Sequence, residues 1–401
     1  MLYSLVVVIP TKASPGSTGR AGTFRRVVTG DESYDVFHPR PLPPDPPLAG
    51  APLQELADRA NQALGRLDGI ALLLPNPDQF LYSYIRKEAV LSAQIEGTQS
   101  SLSELLLFEH DDAPGVPRPE VAEPLNYVRA LYHGLDRVEK GFPLSNRLLR
   151  EIHAQLVEGA RGANQYPGEF RTSQNWIGGT RPGNARFVPP PPQEVAPAMS
   201  DFEKFLHDDP VSTPILFKAG LAHAQFETIH PFLDGNGRLG RLLVTLLLCG
   251  ADRVLSKPLL YLSLYLKRNR DEYYDRLQRV RTHGEWEEWL RFFLEGIVEV
   301  ANSAAETTRG LLALVERDRG RIQQLGRAAT SAARLHEIAV REIVFRIPPA
   351  ARALDSNEVT VGNAARNLEK LGIVAETTGR SRNKRFVYVE YLRVIEEGTS
   401  G

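Results

Sequence analysis

Residues 230–241, which read HPFLDGNGRLGR, hold the side chains of this chain that are best suited to phosphate chemistry. A turn there consists of Gly235, Asn236 and Gly237. Glycines adopt positive φ readily, so such a turn can direct successive amide N–H groups toward one point. An apolar helix over 239–249 begins at this turn, so its unpaired N–H groups and its dipole face the same point. Arg238 and Arg241 lie three residues apart in the first turn, where both can fork onto phosphate oxygens.

Two further side chains of this segment complete a reactive site. His230, just before the turn, is placed to take a proton from an attacking hydroxyl. Asp234 is a hard oxygen ligand beside the phosphate site, where Mg²⁺ normally binds. The combination predicts nucleotidyl or phosphoryl transfer. His223, Glu227 and His230 do not have the HExxH spacing of a zinc helix, so we do not expect them to chelate a metal.

The segment resembles the Fic motif, HxFx(D/E)GNGRxxR, at every specified position. The resemblance implies a mainly α fold with a Fic/Fido helical core, and AMP transfer from ATP with Mg²⁺. It implies that His230 is the base, that Asp234 holds Mg²⁺, and that Phe232 anchors the loop in the core. It further implies that the nucleotide phosphates are held by Gly235, Asn236, Gly237, Arg238 and Arg241. The related Doc-type kinases carry Lys where this chain has Gly237, so this residue favours transfer of AMP over transfer of phosphate.

A second match, Ser92-Ala-Gln-Ile-Glu96-Gly97, fits the inhibitory motif of the same family, (S/T)xxxE(G/N). Ser92 and Glu96 are four residues apart and share a face of a helix that we predict over about 79–107. By resemblance, Glu96 pairs with Arg241 where that arginine would hold the γ-phosphate. A carboxylate on the guanidinium competes with the phosphate and repels it, so we expect an autoinhibited protein.

Two other segments are assigned by their position relative to the motif. A hairpin is predicted from the extended pieces Asn175–Ile177 and Arg186–Val188, which flank a Gly/Pro/Asn turn. It corresponds to the family's flap, which positions a target segment by main-chain pairing. The adenine pocket is expected near 264–277, with Tyr273 among the residues that line it.

Composition is that of an ordinary globular protein. The 401 residues carry 48 Lys plus Arg and 49 Asp plus Glu, a net charge of -1, which excludes a generally basic nucleic-acid coat protein. The single cysteine, Cys249, excludes a disulfide framework, and a reducing, cytoplasmic location fits it. Leu2–Pro10 is apolar but lacks a basic region before it, which disfavours a signal peptide. No apolar run is long enough to span a membrane.

The chain organisation that we predict has five parts. These are a flexible tail (1–22), an N-terminal helical segment with the inhibitory helix (23–142), a Fic domain (143–297), a helical linker (298–329) and a winged helix–turn–helix (330–401). The last part rests on a helix, a second helix over 360–371 and a basic β-hairpin. The hairpin carries Arg380, Arg382, Lys384 and Arg385, so DNA is a candidate partner, although winged helices also bind proteins or dimerise.

The function expected from these observations is protein AMPylation. AMP from Mg·ATP would join a Ser, Thr or Tyr hydroxyl of a target protein, or of the chain itself, with Glu96 holding the protein mostly inactive. Two alternatives remain open from the sequence. The same site could remove AMP from a modified target, or the Fic core could sense ATP in a DNA-binding regulator. A homodimer that controls Glu96 is an expectation at the level of the family.

Overall fold

A computed structural model describes residues 7–10, 19–29, 32–72, 77–110, 119–159, 165–250, 254–380 and 383–399. Within these residues the fold is mainly helical, as predicted. The strands are β1 (Val7–Pro10), β2 (Gly22–Thr29), β3 (Glu32–Pro39), β4 (Val344–Arg346), β5 (Val374–Glu376) and β6 (Arg385–Tyr388). The helices are α1 (Ala51–Leu72), α2 (Pro77–Ile95), α3 (Leu102–Glu109), α4 (Pro119–Glu139), α5 (Asn146–Leu156), α6 (Pro192–Leu206), α7 (Ile215–Ile229), α8 (Asn236–Cys249), α9 (Ser263–Arg268), α10 (Arg270–His283), α11 (Trp286–Gln323), α12 (Ala329–Glu342), α13 (Ile347–Ala353), α14 (Glu358–Lys370) and α15 (Val389–Glu396).

The chain divides into two compact units. The first unit comprises residues 1–62, 126–254 and 265–298, and the second comprises residues 63–125, 255–264 and 299–401. The predicted boundary between the Fic domain and the linker, at 297 and 298, falls inside the continuous helix α11, next to the point where the two units divide.

An antiparallel sheet with the strand order β1-β2-β3 opens the first unit and corrects two predictions. Residues 22–29 and 32–39 are strands, although those from 23 onward were predicted to belong to a helical segment. They form strands because aromatic and β-branched residues face each other across the pair, with Phe24 opposite Phe37 and Val27 opposite Tyr34. Val7–Pro10 form β1 against β2, so these four residues depart from the flexible tail predicted over 1–22.

The core of the first unit is built around α7 and α8. Every residue of α7 from Leu216 to Ile229 is buried, and so is the apolar run of α8 from Leu242 to Leu248. The apolar helix predicted over 239–249 is thus present, and it lies in the core. Gly220 of α7 accepts a hydrogen bond from the Trp289 indole at its carbonyl, 2.8 Å away, and a Cβ at Gly220 would lie 2.6 Å from Leu290. At one end of this packed pair, residues 230–235 connect α7 to α8.

In the second unit, the single helix predicted over about 79–107 is two helices, α2 and α3. The chain leaves α2 through Gly97, which has a φ of 91°. The Gly97 amide bonds to the Gln94 carbonyl and the Thr98 amide to the Ala93 carbonyl, the two bonds of a Schellman motif. Ser101 then caps α3 in a reciprocal capping box with Glu104. The prediction of one helix was wrong because the apolar residues keep their helical spacing across the turn, whereas the Schellman motif and the capping box end α2 and begin α3.

The C-terminal part of the second unit has the element order helix, strand, two helices, two strands and helix, from α12 to α15. Its strands form an antiparallel sheet in the order β4-β6-β5, with Phe345 paired to Phe386. Helix α14 spans the helix predicted over 360–371, and its turn toward β5 is short. Of the basic residues predicted in the hairpin, Arg380 and Lys384 are exposed, Arg385 is half-buried, and Arg382 lies outside the described residues.

Helix α2 packs against α12 and α15 of the same unit. The ring of Phe80 in α2 lies 6.1 Å from that of Tyr391 in α15. The residues after α15 are attached to α2 by two side chains. Lys87 Nζ donates to the Glu397 carbonyl at 2.8 Å, and Gln94 Nε2 donates to the Thr399 carbonyl at 3.0 Å and to the Ser100 carbonyl at 2.6 Å. The turn that carries Glu96 is therefore held between the C-terminal segment and the start of α3.

Candidate active site

The connection between α7 and α8 is folded into a tight loop by the side chain of Asn236. Its Oδ1 accepts the Phe232 N–H at 2.9 Å, and its Nδ2 donates to the Phe232 carbonyl at 2.8 Å. Asn236 is 2% exposed, and the Phe232 side chain is fully buried. The first helical bond of α8 runs from the Leu239 amide to the Gly235 carbonyl, so the amides of residues 236–238 head the helix.

His230 ends α7 in a left-handed backbone conformation, with φ 50° and ψ 60°. This conformation is rare for a residue with a side chain. It is held from outside by Arg171, whose Nε donates to the His230 carbonyl at 2.9 Å and whose amide donates to the Pro231 carbonyl at 2.9 Å. Burial lowers the pKa of Arg171 to about 10, so the group remains a cation at neutral pH. The backbone of His230 is thereby fixed before any ligand binds.

The His230 imidazole is partly exposed, and its Nδ1 lies 3.8 Å from the Glu227 carboxylate one turn earlier in α7. A carboxylate near Nδ1 favours the tautomer in which Nε2 carries no proton. Gly240 of α8 faces the same carboxylate, since a Cβ there would lie 2.8 Å from Glu227 Oε1. Because Gly240 has no side chain, the Glu227 carboxylate has space to lie beside His230.

Gly235 and Asp234 form the corner at which the loop enters α8. Gly235 has a φ of 78°, which favours glycine, and a Cβ there would lie 3.1 Å from Val157, a tight contact. Asp234 Oδ1 accepts the Gly235 N–H at 2.7 Å, and the Asp234 side chain is about one-third exposed, at 31%. Its carboxylate thus reaches the surface of the loop.

His153 of α5 supports this corner from below. Its Nδ1 accepts the Gly168 N–H at 2.9 Å, which leaves the proton on Nε2, and Nε2 donates to the Asp234 carbonyl at 2.9 Å. Its ring stacks on Phe232, with centroids 3.7 Å apart and planes 9° apart. Burial lowers the pKa of His153 to about 4, so the ring is neutral at physiological pH. Phe232, the anchor expected from the sequence, is therefore locked between His153 and the α7–α8 pair.

The two arginines of the motif lie in the first turns of α8 and are both buried. Arg238 is 1% exposed and lies 3.7 Å from Asp234, measured from Nη2 to Oδ1. Arg241 is 3% exposed. A guanidinium in such a setting is weakly solvated, so its attraction for an anion is stronger than it would be at the surface. The loop and the first turns of α8 thus bring together His230, Asp234, the amides at the head of α8, Arg238 and Arg241.

The predicted flap (residues 175–188) is present as a hairpin with a single bridge rather than two regular strands. The Ile177 amide donates to the Phe187 carbonyl at 2.8 Å, and the Ile177 carbonyl accepts the Phe187 amide at 3.1 Å. Its base is attached to the loop because Asn175 Nδ2 donates to the Phe232 carbonyl at 3.0 Å. A turn of 3₁₀ helix, Pro182–Asn184, occupies the tip.

Tyr273 does not line an open pocket as the sequence led us to expect. It is 1% exposed in α10, and its hydroxyl lies 2.9 Å from His223 Nε2. Burial lowers the pKa of His223 to about 4, so this ring is neutral. Tyrosines at helical spacing pack into a core when the neighbouring helix offers a polar partner for the hydroxyl, and His223 of α7 is that partner here.

Ser92 and Glu96, the predicted inhibitory pair, lie in the second unit. Ser92 is fully buried in α2, while Glu96 is half-buried and is the capping residue between Ile95 and the left-handed Gly97. The Gly or Asn required after the glutamate by the family pattern has a physical explanation here, because these two residues enter positive φ most readily. The pairing of Glu96 with Arg241 stays a prediction.

Sequence reasoning missed three residues that build the loop, namely His153, Arg171 and Asn175. Each acts on main-chain carbonyls of residues 230–234, and such contacts leave no spacing pattern in a sequence. The only signal available was compositional. Arg171 and Asn175 stand in a polar stretch, 171–175, that leads directly into the predicted hairpin.

Among the described residues, no cluster of three or more His, Cys, Asp or Glu side chains is arranged to hold a metal ion by itself. Asp234 nonetheless suits Mg²⁺, because this ion is commonly bound through one or two carboxylates, with substrate phosphates and water completing the shell. In the part of the chain that the structure describes, no helix is both long enough and apolar enough to cross a bilayer.

Comparison with known proteins identifies the domains that carry this site. Residues 54–136 match the Fic/DOC family N-terminal model, and residues 143–248 match the Fic/DOC family model. The chain therefore carries both domains of the Fic/DOC family, and residues 230–241 lie within the second.

Several curated relatives share this region. Protein adenylyltransferase Fic of Aedes aegypti is 36% identical over 249 residues, which is 60% of this chain and 45% of that protein. Protein adenylyltransferase Fic of Drosophila erecta is 35% identical over 145 residues, 36% of this chain and 24% of that protein. A probable protein adenylyltransferase of Aquifex aeolicus is 29% identical over 182 residues, 45% of this chain and 52% of that protein. The chain thus spans about a quarter to a half of the length of these relatives.

A solved structure shares the fold. The crystal structure of a Fic family protein from Desulfovibrio desulfuricans G20 superposes with a TM-score of 0.54 at 20% identity. The match covers 86% of this chain and 98% of that protein. The likeness supports the mainly helical Fic fold across most of the chain.

Proposed function

We propose that this protein transfers AMP from ATP, with Mg²⁺, to a Ser, Thr or Tyr hydroxyl of a target protein, itself included. The observation that carries the proposal is the loop between α7 and α8, which fixes His230 and the head of α8 at its two ends. Relatives that share 29–36% identity over this region are named protein adenylyltransferases or probable ones, which supports the same reaction.

The proposed reaction gives each of these groups a role. His230 Nε2 takes the proton of the acceptor hydroxyl, and Glu227 beside Nδ1 stabilises the imidazolium that forms. The hydroxyl oxygen forms a bond to the α-phosphorus, and the bond from that phosphorus to the β-bridging oxygen breaks. Pyrophosphate leaves with the electron pair. Arg238, Arg241 and the amides at the head of α8 stabilise the charge on the phosphates.

Asp234 is the residue that would hold Mg²⁺, through the carboxylate that reaches the loop surface. When bound, the ion neutralises charge on the phosphates. The same carboxylate already accepts the Gly235 N–H. Asp234 would therefore both hold the ion and stabilise the start of α8.

Glu96 is proposed to inhibit the reaction by competing with the γ-phosphate for Arg241. Its position supports this role because Glu96 caps the end of α2 inside the Schellman turn, with its backbone held next to Gly97. A charge at a fixed position competes with a ligand more effectively than one on a mobile chain, because less entropy is lost when it pairs.

The experiment compares ATP labelled at the α-phosphate with ATP labelled at the γ-phosphate. The proteins are the wild type, Glu96→Gly, Glu96→Gln and Glu96→Gly combined with His230→Ala. We expect α-label on protein, increased by both Glu96 variants, and none with His230→Ala. Glu96→Gln is the matched control, since it removes the charge and keeps the helix end.

Each departure from this pattern has a defined meaning. Label from the γ-phosphate would identify a kinase despite Gly237. No change on replacing Glu96 would remove the inhibitory assignment, and full activity of His230→Ala would remove the base assignment. If no variant transfers label while a pre-modified acceptor loses AMP in the presence of the wild type, the site removes AMP instead.

A second candidate function is supported by the C-terminal region. The order α12, β4, α13, α14, β5, β6 supports the winged helix predicted from the sequence, in which α14 would enter the major groove and the hairpin would be the wing. Asn363 and Arg366 are exposed on α14, and Arg380 and Lys384 are exposed on the hairpin. We propose that this region binds DNA. A gel shift with the full chain should weaken steeply with salt and with Arg366→Ala, and an absent shift would leave the region as a protein-binding module.

A further inference from the structure

The flap is attached to the β2–β3 hairpin, which lies outside both sequence motifs, residues 92–97 and 230–241. We infer that this hairpin braces the flap, and that Glu32 at its tip is a positioning residue for the protein acceptor. The inference rests on the proposed AMP transfer, and it concerns the protein substrate rather than the nucleotide.

The first contact of the brace is a main-chain hydrogen bond at the base of the flap. The Phe37 amide of β3 donates to the Val188 carbonyl at 3.0 Å. Strand β3 is therefore attached to the flap by this bond, and it occupies the Val188 carbonyl at the outer edge of the 186–188 segment.

The second contact is aromatic and leads to the catalytic loop. Phe187 packs between the Phe37 ring, 5.8 Å away, and the Arg281 guanidinium, 4.0 Å from its centroid. The same Arg281 donates to the Glu227 carbonyl at 3.0 Å and to Thr228 Oγ1 at 3.2 Å, in the last turn of α7 before His230. A continuous series of contacts thus connects the β2–β3 hairpin, through the flap, to the residues of α7 that precede His230.

The third contact holds the tip of the flap. Glu32 Oε1 accepts the Gly183 N–H at 2.8 Å and lies 3.6 Å from Arg181 Nε. A Cβ on Gly183 would lie 2.5 Å from Glu32 Oε1, so the carboxylate reaches the main chain because this residue is a glycine. The tip is itself ordered, since Asn184 Oδ1 accepts the amides of Thr180 and Arg181 at 2.9 and 3.0 Å.

This arrangement determines which edge of the flap an acceptor segment can use. Both main-chain groups of Ile177 point toward Phe187, and the far edge of 186–188 is covered at Val188 by β3. Main-chain groups of neighbouring residues in an extended segment point to opposite sides, so those of Trp176 point away from the hairpin. An extended acceptor therefore adds beside residues 175–177, where Trp176 is 39% exposed.

If Glu32 positions the flap, removing it should affect the protein acceptor and spare the nucleotide. The experiment uses the full chain carrying Glu96→Gly and adds Glu32→Ala, Glu32→Gln or Asp35→Ala. Glu32→Gln keeps an oxygen that can accept the Gly183 N–H. Asp35→Ala is the matched control, because it breaks the Arg26–Asp35 ion pair of the same hairpin, 2.7 Å long, without touching the flap.

Two readouts are needed. Amide hydrogen exchange at Gly183 should accelerate roughly tenfold in Glu32→Ala, the loss expected for one hydrogen bond to a charged group, and should stay near the parent value in the other two variants. Transfer of α-label to protein, summed over the chain itself and the proteins of a bacterial lysate, should fall about fivefold in Glu32→Ala with the KM for ATP unchanged.

The outcomes separate the inference from the function on which it rests. Unchanged exchange at Gly183 in Glu32→Ala would overturn the brace. Faster exchange with undiminished transfer, or an equal loss of transfer in Asp35→Ala, would overturn the positioning role. If the parent transfers no label at all, the proposed function fails, and the exchange readout still decides whether the brace exists.

Discussion

Replacing Asn236 with alanine tests whether this residue builds the loop or only binds nucleotide. The family pattern assigns it to the phosphates, whereas its side chain is 2% exposed and makes two hydrogen bonds to Phe232. Alanine removes both bonds. The Phe232 carbonyl keeps the bond from Asn175, 3.0 Å long, so only the buried Phe232 N–H loses its partner. An unsatisfied buried donor costs about 1–3 kcal/mol.

We therefore expect Asn236→Ala to lower the stability of the nucleotide-free protein by about 2 kcal/mol. For a cooperative unit of 150–250 residues this corresponds to roughly 4–8 °C in Tm. The assay is thermal unfolding without nucleotide, followed by titration with Mg·ATP. Asn175→Ala is the matched control and should cost less, because the Phe232 carbonyl then keeps its bond from Asn236. The double variant should cost more than the sum of the two, since the carbonyl loses both partners.

The result that refutes this reasoning is an unchanged Tm of the nucleotide-free Asn236→Ala protein together with weakened ATP binding. Asn236 would then act on the nucleotide directly, and the bonds to Phe232 would contribute nothing to folding. Additive effects of the two asparagine variants would also contradict it, since they would mean that the two residues do not share the Phe232 carbonyl as a partner.

The remaining predictions concern pH and backbone conformation. Burial lowers the pKa of His153 to about 4, from an ordinary 6.5, so between these values the unfolded chain binds a proton that the folded chain does not. The unfolding free energy should fall as the pH falls through this window, with about 2 kcal/mol of the His153 contribution lost by pH 5. Urea unfolding at pH 7 and pH 5 should show a smaller drop for His153→Gln than for the wild type, and equal drops would contradict the assignment. Gly97 has a φ of 91° and open space around its Cβ position, so Gly97→Ala should cost about 1–2 kcal/mol through the backbone alone and Gly97→Asn less. If Glu96 inhibits, AMP transfer should rise more in Gly97→Ala than in Gly97→Asn. Thermal unfolding of both variants checks the stability order, and equal stability would mean that the left-handed conformation of Gly97 is not what stabilises the end of α2.

The sequence identified the loop and the helix after it because their residues are contiguous. His230, the glycines and the arginines lie within twelve positions, and the apolar run behind them leaves only a buried helix as an explanation. Periodicity likewise predicted α14. By contrast, the break between α2 and α3 depends on three caps, Gly97, Ser101 and Glu104, which a helical pattern does not register.

The supports of the loop were beyond the sequence for a different reason. His153 lies 81 positions from Asp234, and Arg171 lies 59 positions from His230. Both donate to main-chain carbonyl oxygens, which every residue has. The type of the accepting residue therefore gives no sign of the contact in the sequence. The strands β2 and β3 were missed because the predicted segment was classified by its longer, helical part.

The attachment of the C-terminal segment to α2 has a consequence for how this chain tolerates change. Lys87 and Gln94 bind the carbonyls of Glu397 and Thr399, not their side chains. Substitutions at 397 would therefore leave this contact intact, whereas one residue added to or removed from α15 would displace both carbonyls along the chain. The length of this segment is therefore more constrained than the residue type at 397, and a comparison of natural variants should find substitutions at this position far more often than insertions or deletions around it.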